Sequence, residues 1–269
     1  MRTRALPALL LLLALLSPAF AKDKYQKVEA VRLDRDGEKW AEKTLKKMSL
    51  EEKIGQMFMI WARAEFVNRR SPEYLRLREA MRRYHHGKEL PIYITEAGIR
   101  GVLGSKLTYR TQAQFMTRLA IVLKGEGIRV FLPFYGIDYD HDGWWGFCFN
   151  LELDAKSPWS TRRISPKPSV NTLATCAGVL EGARPIRRVT SLGENVWAYV
   201  FDRQGAAILA IWSASGQKQV SIPLDKNETI EVIDIVGHSS RLVPRNRSLE
   251  LLVDGSPRYL LGVTPGSLH

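Results

Sequence analysis

Short apolar runs alternate with amphipathic segments between residues 91 and 180. Residues 91–95 and 128–135 are apolar runs with β-branched residues, which is typical of buried strands. Residues 111–123 and 169–180 repeat apolar positions at intervals of three and four, which predicts a helix with one buried face in each segment. Strands that alternate with helices are the pattern of parallel β-α-β packing. This part of the chain therefore predicts an α/β fold.

From about residue 185 the pattern changes to short runs rich in β-branched and aromatic residues, separated by turns that contain Gly, Asn or Asp. Many short strands at nearly regular spacing favour an antiparallel β-sandwich. The predicted strands are residues 196–201, 206–212, 219–224, 229–236, 248–253 and 258–263.

The segment 36–87 is charged and mostly helical in pattern. Residues 36–48 predict one helix. The sequence Ser49–Glu52 fits a capping box, in which a hydroxyl and a carboxylate bind free backbone amides at the start of the next helix. Residues 57–61 are continuously apolar and predict a short buried strand, and a further helix is predicted to begin at Pro72.

The first residues have the three parts of a secretory signal peptide. Arg2 and Arg4 precede an apolar run at 9–16, and Ala-Phe-Ala at 19–21 is a small-residue cleavage site. The apolar run is well short of the roughly 20 residues that a membrane-spanning helix needs. We therefore expect residues 1–21 to be removed and the mature protein to be secreted or periplasmic, without a membrane span.

The chain carries a net charge of +12, with 40 Lys and Arg residues against 28 Asp and Glu residues. The basic residues are scattered in pairs instead of forming a long block, so we interpret the surplus as a solvated surface. Export also argues against a nucleic-acid partner. The adjacent histidines at 85–86 would point about 100° apart on a helix and make a poor chelate. We predict no metal and no cofactor.

The two cysteines, Cys148 and Cys176, leave two alternatives open. A pair of cysteines in an exported protein often forms a disulfide, which here would close a loop of about 28 residues. Cys176 also fits the inward face of its predicted helix as a buried apolar thiol.

Glu96 is the strongest candidate for a catalytic residue. It ends the predicted strand in the sequence Pro-Ile-Tyr-Ile-Thr-Glu-Ala-Gly at 91–98. In (β/α)8 enzymes the reactive groups lie where strands end at the C-terminal face. A glutamate at such a place serves as a nucleophile or a proton-transfer group in glycoside hydrolysis. The alternative is an ordinary strand-ending glutamate that points to water.

Residues 91–98 resemble the seventh-strand motif of clan A glycoside hydrolases. Val130–Tyr135 is similar to the eighth strand of that clan, Gly146-Phe147 falls where a Gly-Phe or Gly-Leu often precedes the last loop, and Lys167-Pro168 precedes the final helix. These pieces follow one another in the clan's order, and the resemblance covers residues 88–269.

This resemblance implies a fold that is α/β plus all-β. Residues 88–183 would form a partial (β/α)8 barrel segment and residues 184–269 an antiparallel β-sandwich. It also implies a retaining O-glycosidase that acts on a poly- or oligosaccharide, with Glu96 as the nucleophile.

Four further residues are predicted to bind the carbohydrate. Tyr135, Trp144 and Trp145 offer aromatic surfaces on which sugar rings stack, and Asp138 lies in the acidic loop after the eighth-strand-like segment. The alternatives are burial of the aromatic residues at the barrel rim and a solvated loop carboxylate for Asp138.

The first part of the chain resembles a different family. Residues 40–57, from Trp40 to Met57, are similar to the opening of glycoside hydrolase family 3. This resemblance implies that residues 22–87 are a helical segment with one strand. Because the first and eighth strands of a closed barrel are neighbours, we expect a parallel sheet in the order 91–95, 128–135, 57–61.

The sequence offers no clear candidate for the second catalytic carboxylate. A retaining glycosidase needs two carboxyl groups about 5–5.5 Å apart, and the clan's asparagine-glutamate pair has no counterpart at a comparable place. Glu65, which follows the first predicted strand, is the speculative substitute. We therefore expect a truncated enzyme that is weakly active or inactive. The alternatives are a non-catalytic carbohydrate-binding or interaction module, and a gene-fusion product without an evolved function.

Overall fold

The structure, a computed structural model, divides into two compact units, Met1–Ala62 and Arg63–His269. The described residues are 34–55, 72–84, 87, 92–102, 104–138, 144–151 and 163–263. The predicted signal peptide, the predicted strand at 57–61 and Glu65 lie outside them. The place expected for residues 57–61 in the parallel sheet therefore stays a prediction.

In the first unit the sequence predicts the helices and their caps well. Helix α1 spans Arg35–Lys47 and helix α2 spans Leu50–Gly55. The Asp34 side chain accepts a hydrogen bond from the first turn of α1. The amide of Glu52 donates to Ser49 Oγ at 3.1 Å and the amide of Ser49 donates to Glu52 Oε2 at 2.8 Å, which confirms the predicted capping box.

The second unit begins with three helices and two pairs of strands. The helices are α3 (Pro72–Tyr84), α4 (Tyr109–Gly125) and α5 (Pro168–Leu180), and the strands are β1 (Tyr93–Ala97), β2 (Val130–Pro133), β3 (Cys148–Asn150) and β4 (Ile164–Pro166). Strands β1 and β2 pair in parallel, as predicted, with α4 as the connection between them. Strands β3 and β4 pair antiparallel.

Helix α4 begins earlier than its apolar pattern predicts. Thr108 takes the N-cap position, and its hydroxyl oxygen accepts a hydrogen bond from the amide of Thr111 at 3.1 Å. Met116, Ile121 and Val122 of α4 are fully buried. Among the described residues, no helix is both long and apolar enough to cross a membrane.

The remaining strands form two antiparallel sheets. They are β5 (Arg184–Val189), β6 (Val196–Arg203), β7 (Ala206–Ser213), β8 (Lys218–Pro223), β9 (Ile230–Ile233), β10 (Ser239–Leu242), β11 (Ser248–Val253) and β12 (Arg258–Val263). One sheet has the strand order β10-β9-β12-β7-β6-β5, and β8 pairs with β11 in the other. Six of these strands match the predicted ones, while β5 and β10 were not predicted.

The six-stranded sheet is buried on both faces around β6 and β7. On one face Val200 and Leu209 share an apolar core with Val220 and Leu251 of the smaller sheet. The other face of the sheet is covered by helices α4 and α5. A second apolar core lies between this face and the two helices, and its members include Tyr199, Phe201, Trp212 and Tyr259 from the sheet and Ile121, Val122, Cys176 and Leu180 from the helices. The two helices therefore hold the β1–β2 pair against a large sheet.

Candidate functional site

Glu96 occupies the C-terminal end of β1 at a break in the pairing with β2. Ile94 is aligned with Phe131 and Ala97 is aligned with Pro133, so β1 uses one more residue than β2 over the same distance. Such a bulge leaves the extra residue unpaired and re-aims the side chains beside it. As a result Glu96 is exposed next to an exposed Thr95, against the usual alternation of a strand.

The bulge turns Glu96 to the face of the pair that the helices leave open. Phe131 and Pro133 line a groove of about 530 Å³ against α4 and α5, so their face of β2 is the helix side. Ala97 is aligned with Pro133, and because neighbouring side chains on a strand point to opposite faces, Glu96 points away from the helices. Leu132 points the same way for the same reason.

This open face is apolar around the carboxylate. Tyr93 is 53% exposed and Leu132 is 51% exposed. Tyr93, Thr95, Glu96 and Leu132 define this open face.

Two of the predicted aromatic residues, Tyr135 and Trp145, lie on either side of Phe134 where β2 ends. The Phe134 ring contacts the Tyr135 ring edge-on with centroids 4.3 Å apart, and it contacts the Trp145 ring with centroids 6.0 Å apart. Tyr135 and Trp145 are half-buried, and Trp144 beside them is exposed. The amide of Phe134 donates to the Ala97 carbonyl at 2.8 Å, which places this cluster next to the residue that follows Glu96.

Close backbone contacts bind the loop after Glu96 to the loop that carries the tryptophans. The amide of Gly101 donates to the Trp144 carbonyl at 2.8 Å. The buried Gln112 amide nitrogen, from the first turn of α4, donates to the carbonyls of Ile99 at 3.0 Å and Trp145 at 3.2 Å. A Cβ on Gly98 would lie 2.2 Å from a backbone oxygen, so the chain approaches itself there at a distance that only glycine permits.

Asp138 has a different role from the predicted one. Its side chain is 1% exposed, and both carboxylate oxygens lie 2.7 Å from Nζ of Lys167, which is itself fully buried. The amide of Gly146 donates to Asp138 Oδ1 at 2.8 Å. The structure therefore corrects the prediction that Asp138 contacts carbohydrate, because the carboxylate is enclosed by protein atoms.

The buried pair has a clear electrostatic signature. Desolvation lowers the pKa of Lys167, and the hydrogen bond and charge of Asp138 oppose that change. Desolvation also raises the pKa of Tyr109, with a further contribution from the Asp138 charge. The rings of Tyr109 and Phe149 lie 5.4 Å and 5.3 Å from Lys167 Nζ, which gives the cation two aromatic neighbours. Sequence reasoning noted Lys167 before the final helix but missed its partner, since nothing in the spacing connects residues 29 positions apart.

The cysteines are two separate free thiols, which corrects the disulfide prediction. Cys176 is buried on α5 in the core that contains Ile121 and Tyr259, whereas Cys148 opens β3. Burial raises the pKa of the Cys176 thiol. The alternative prediction, that Cys176 is a buried apolar thiol, describes its place correctly.

One exposed carboxylate remains at this edge of the described structure. In the described segments that follow β1 and β2, which are residues 98–102, 134–138 and 144–147, the single acidic residue is Asp138, and it is held by Lys167. Glu96 is thus the one carboxylate of these segments and of β1 and β2 that is open to solvent.

No family model matches the sequence. No curated protein matches it either. Among solved structures, a family 39 glycoside hydrolase from Bacteroides cellulosilyticus WH2 superimposes with a TM-score of 0.53 at 20% identity, over 69% of this chain and 37% of that one. A conserved exported protein from Bacteroides fragilis gives a TM-score of 0.49 at 13% identity, over 69% and 42% of the two chains. A GH30 endoxylanase from Clostridium papyrosolvens C71 gives 0.45 at 10% identity, over 69% and 45%.

The chain therefore spans 37% to 45% of the length of these structures. The similarity to the family 39 enzyme shows that the chain has the fold of part of a glycoside hydrolase. The resemblance of residues 36–87 to family 3 stays a prediction.

Proposed function

We propose that this protein is a glycoside hydrolase-like chain that binds a poly- or oligosaccharide on its open face, with Glu96 as a retaining nucleophile. The observation that carries the proposal is the bulge in β1, beside which the Glu96 side chain is exposed, as are Tyr93 and Leu132. The aromatic cluster follows β2, where the Phe134 amide donates to the carbonyl of Ala97, the residue after Glu96. The first chemical step of a retaining glycosidase needs a carboxylate that attacks the anomeric carbon and a second carboxyl group that protonates the leaving group. Glu96 is the candidate for the first of these roles.

The proposed fold follows from the same observations. The parallel pair β1–β2, with its helices, is the partial barrel segment at 88–183, and the two antiparallel sheets are the β-sandwich at 184–269. The open face is then the inner wall of an incomplete barrel. Residues 1–21 are proposed to export the protein to a secreted or periplasmic location, where polysaccharides are found.

The chemistry available to Glu96 alone is limited. Its carboxylate can attack an anomeric carbon, but an ordinary alcohol leaves only when a second carboxyl group protonates it, and that assistance is worth about 10²–10⁴ in rate. Asp138 is buried, and Glu65 lies outside the described residues. An open, solvated face also weakens the electrostatic stabilisation of the transition state. We therefore expect little turnover of natural glycosides and slow reaction with activated aryl glycosides.

A non-catalytic carbohydrate-binding role is the second candidate. Trp144 favours it, because this residue is 36% exposed while its backbone carbonyl is fixed by Gly101. An exposed ring on a fixed backbone binds a sugar without needing any carboxylate. In this case oligosaccharides would bind, but Glu96 would remain unmodified. A gene-fusion product without an evolved function would neither bind nor react.

Covalent labelling separates the three possibilities. The protein is incubated with a panel of dinitrophenyl 2-deoxy-2-fluoroglycosides, and peptides are analysed by mass spectrometry, with Glu96→Gln as the control. Labelling of Glu96 with release of one equivalent of dinitrophenolate supports the nucleophile. Oligosaccharide binding without any label supports the binding module. The absence of both label and binding overturns the proposed function.

A further inference from the structure

We propose that Asp138 and Lys167 form a positioning pair that fixes the segment 144–148, and with it Trp144 and Trp145, as the sugar-stacking surface beside Glu96. This inference rests on the proposed function for its ligand, a saccharide. The anchoring of the segment by the pair rests on the structure alone.

The pair reaches the segment through both of its members. Lys167 Nζ lies 3.4 Å from the Trp144 carbonyl oxygen, to which it donates. Asp138 Oδ1 accepts from the amide of Gly146 at 2.8 Å. The segment is thus held at two adjacent places by the two ends of one ion pair.

The backbones of the same two residues add to this anchoring. The amide of Asp138 donates to the Cys148 carbonyl at 2.9 Å, and the amide of Lys167 donates to the Phe147 carbonyl at 2.7 Å. The segment therefore runs between Asp138, in the loop after β2, and Lys167, the residue that precedes α5. Each of its carbonyls from Trp144 to Cys148 accepts at least one hydrogen bond.

A loop of this kind needs such partners. Residues 144–147 are outside regular strands, so the polar groups of their backbone are not satisfied by a sheet ladder. Gly146 is buried, and a Cβ at this position would lie 2.3 Å from the Asp138 amide nitrogen. The loop is consequently packed directly on the ion pair, and the positions of the two indole rings depend on it.

The pair is better explained by positioning than by stability. Replacing a buried ion pair by apolar residues of similar size is often neutral or stabilising for a protein. If Asp138 and Lys167 served stability alone, removing both charges together would have little consequence for the loop. The positioning role instead predicts that loop order and global stability separate in a double variant.

Two double variants differ in whether residue 138 can still accept a hydrogen bond from the Gly146 amide. Asp138→Leu/Lys167→Met removes both charges and the acceptor for the Gly146 amide. Asp138→Asn/Lys167→Met also removes both charges but keeps an oxygen for that amide. The exposed pair of Arg184 and Asp202, 3.0 Å apart, supplies the control variant Arg184→Met.

Three quantities are measured for each variant. They are the hydrogen-exchange rates of the backbone amides by NMR, the thermal unfolding midpoint, and the affinity for oligosaccharides. In the Leu/Met variant we expect the Gly146 amide to exchange at least about tenfold faster than in the wild type, because a buried donor has lost its acceptor. The unfolding midpoint should fall by only a few degrees, which is the effect expected of one unsatisfied amide. The Asn/Met variant should show a smaller increase in exchange, and Arg184→Met should show none.

The affinity measurement tests the sugar-stacking role. We expect the Leu/Met variant to bind the best oligosaccharide of the panel at least tenfold more weakly, and Gly146→Ala, which keeps the ion pair but displaces the loop, to weaken binding in the same way. Should the Leu/Met variant fail to fold, the Asn/Met variant tests the anchoring through Lys167, because it removes the donor to the Trp144 carbonyl. Gly146→Ala then tests separately whether the position of the loop sets the affinity for sugar.

The two ideas fail in different ways. Unchanged exchange at Gly146 in the folded Leu/Met variant overturns the anchoring. Faster exchange with unchanged sugar affinity overturns the positioning role. Faster exchange in a protein whose wild type binds no sugar overturns the proposed function, while the anchoring of the loop stands.

Discussion

Both carboxylate oxygens of Asp138 lie 2.7 Å from Nζ of Lys167, and this contact joins the end of β2 to the start of α5. The single variant Lys167→Met leaves the Asp138 carboxylate buried without a counter-charge. We expect the free energy of unfolding to fall by about 3–5 kcal/mol. Urea denaturation of Lys167→Met and of Asp138→Asn/Lys167→Met measures this, and the double variant should regain most of the loss. Equal losses in the two variants would show that the charge of Asp138 is not the cause.

A pair of glycines at the same edge tests how closely the two strand ends approach. In Gly98→Ala the new Cβ would lie 2.2 Å from the Phe134 carbonyl oxygen, whereas at Gly136 the same atom meets nothing within 4 Å. We expect Gly98→Ala to lower the free energy of unfolding by about 1–3 kcal/mol, as overpacking does. It should also displace Glu96, so that labelling slows. Gly136→Ala is the matched control and should leave both unchanged. If both variants behave alike, the close approach is absent.

The two tryptophans are expected to separate ligand affinity from stability. Trp144 is exposed, so Trp144→Ala should weaken oligosaccharide binding by about tenfold through a loss of roughly 1–1.5 kcal/mol of stacking, with little change in stability. Trp145 is half-buried against Phe134, so Trp145→Ala should lower the free energy of unfolding by about 1–3 kcal/mol as well. Titration of each variant, read beside its denaturation curve, distinguishes these results. A Trp144→Ala variant with full affinity would remove this residue from the proposed site.

The helix-facing core should make the protein less stable at alkaline pH. Burial, and secondly the neighbouring Cys176, raise the pKa of Tyr259 well above its ordinary value of 10.0. The unfolded state then loses the phenol proton at a lower pH than the folded state, so the folded state binds more protons and its stability falls as the pH rises above about 10.

Tyr259→Phe isolates this contribution from that of Lys167, whose lowered pKa acts in the opposite sense below 10.5. The measurement is the free energy of unfolding at several pH values between 8 and 11. We expect the free energy of unfolding of the wild type, relative to that of Tyr259→Phe, to fall at the alkaline end. A difference that is independent of pH would contradict the burial of Tyr259.

Much of the fold follows from the sequence because its apolar patterns are strong. Strands β6 and β7 are buried on both faces, which requires continuous apolar runs, and the segments 196–201 and 206–212 have them. Strands β5 and β10 were missed because they are the edges of the sheet. Their residues, such as Arg184 and Ser239, are exposed and carry no apolar alternation.

The candidate site can also be predicted from the sequence only in part. Glu96 at a strand end is readable from the sequence, since a polar residue after an apolar run stands out. The bulge that aims Glu96, and the pairing of Asp138 with Lys167, are not readable in this way. Both depend on the register of segments that are distant in the chain, and register is set by packing and not by local composition.

The measurement that tests the central claim most directly is covalent trapping of Glu96 by an activated 2-deoxy-2-fluoroglycoside, with the matched variant Glu96→Gln. The account predicts one label per protein on the peptide that contains Glu96, formed slowly, and no label in the Gln variant, because the carboxylate faces the open side of β1 beside the aromatic cluster. It also predicts little turnover of unactivated oligosaccharides, since β1, β2 and the described segments that follow them offer no second exposed carboxylate to protonate the leaving group. The absence of any label on the wild type, or labelling that persists in Glu96→Gln, would contradict the account.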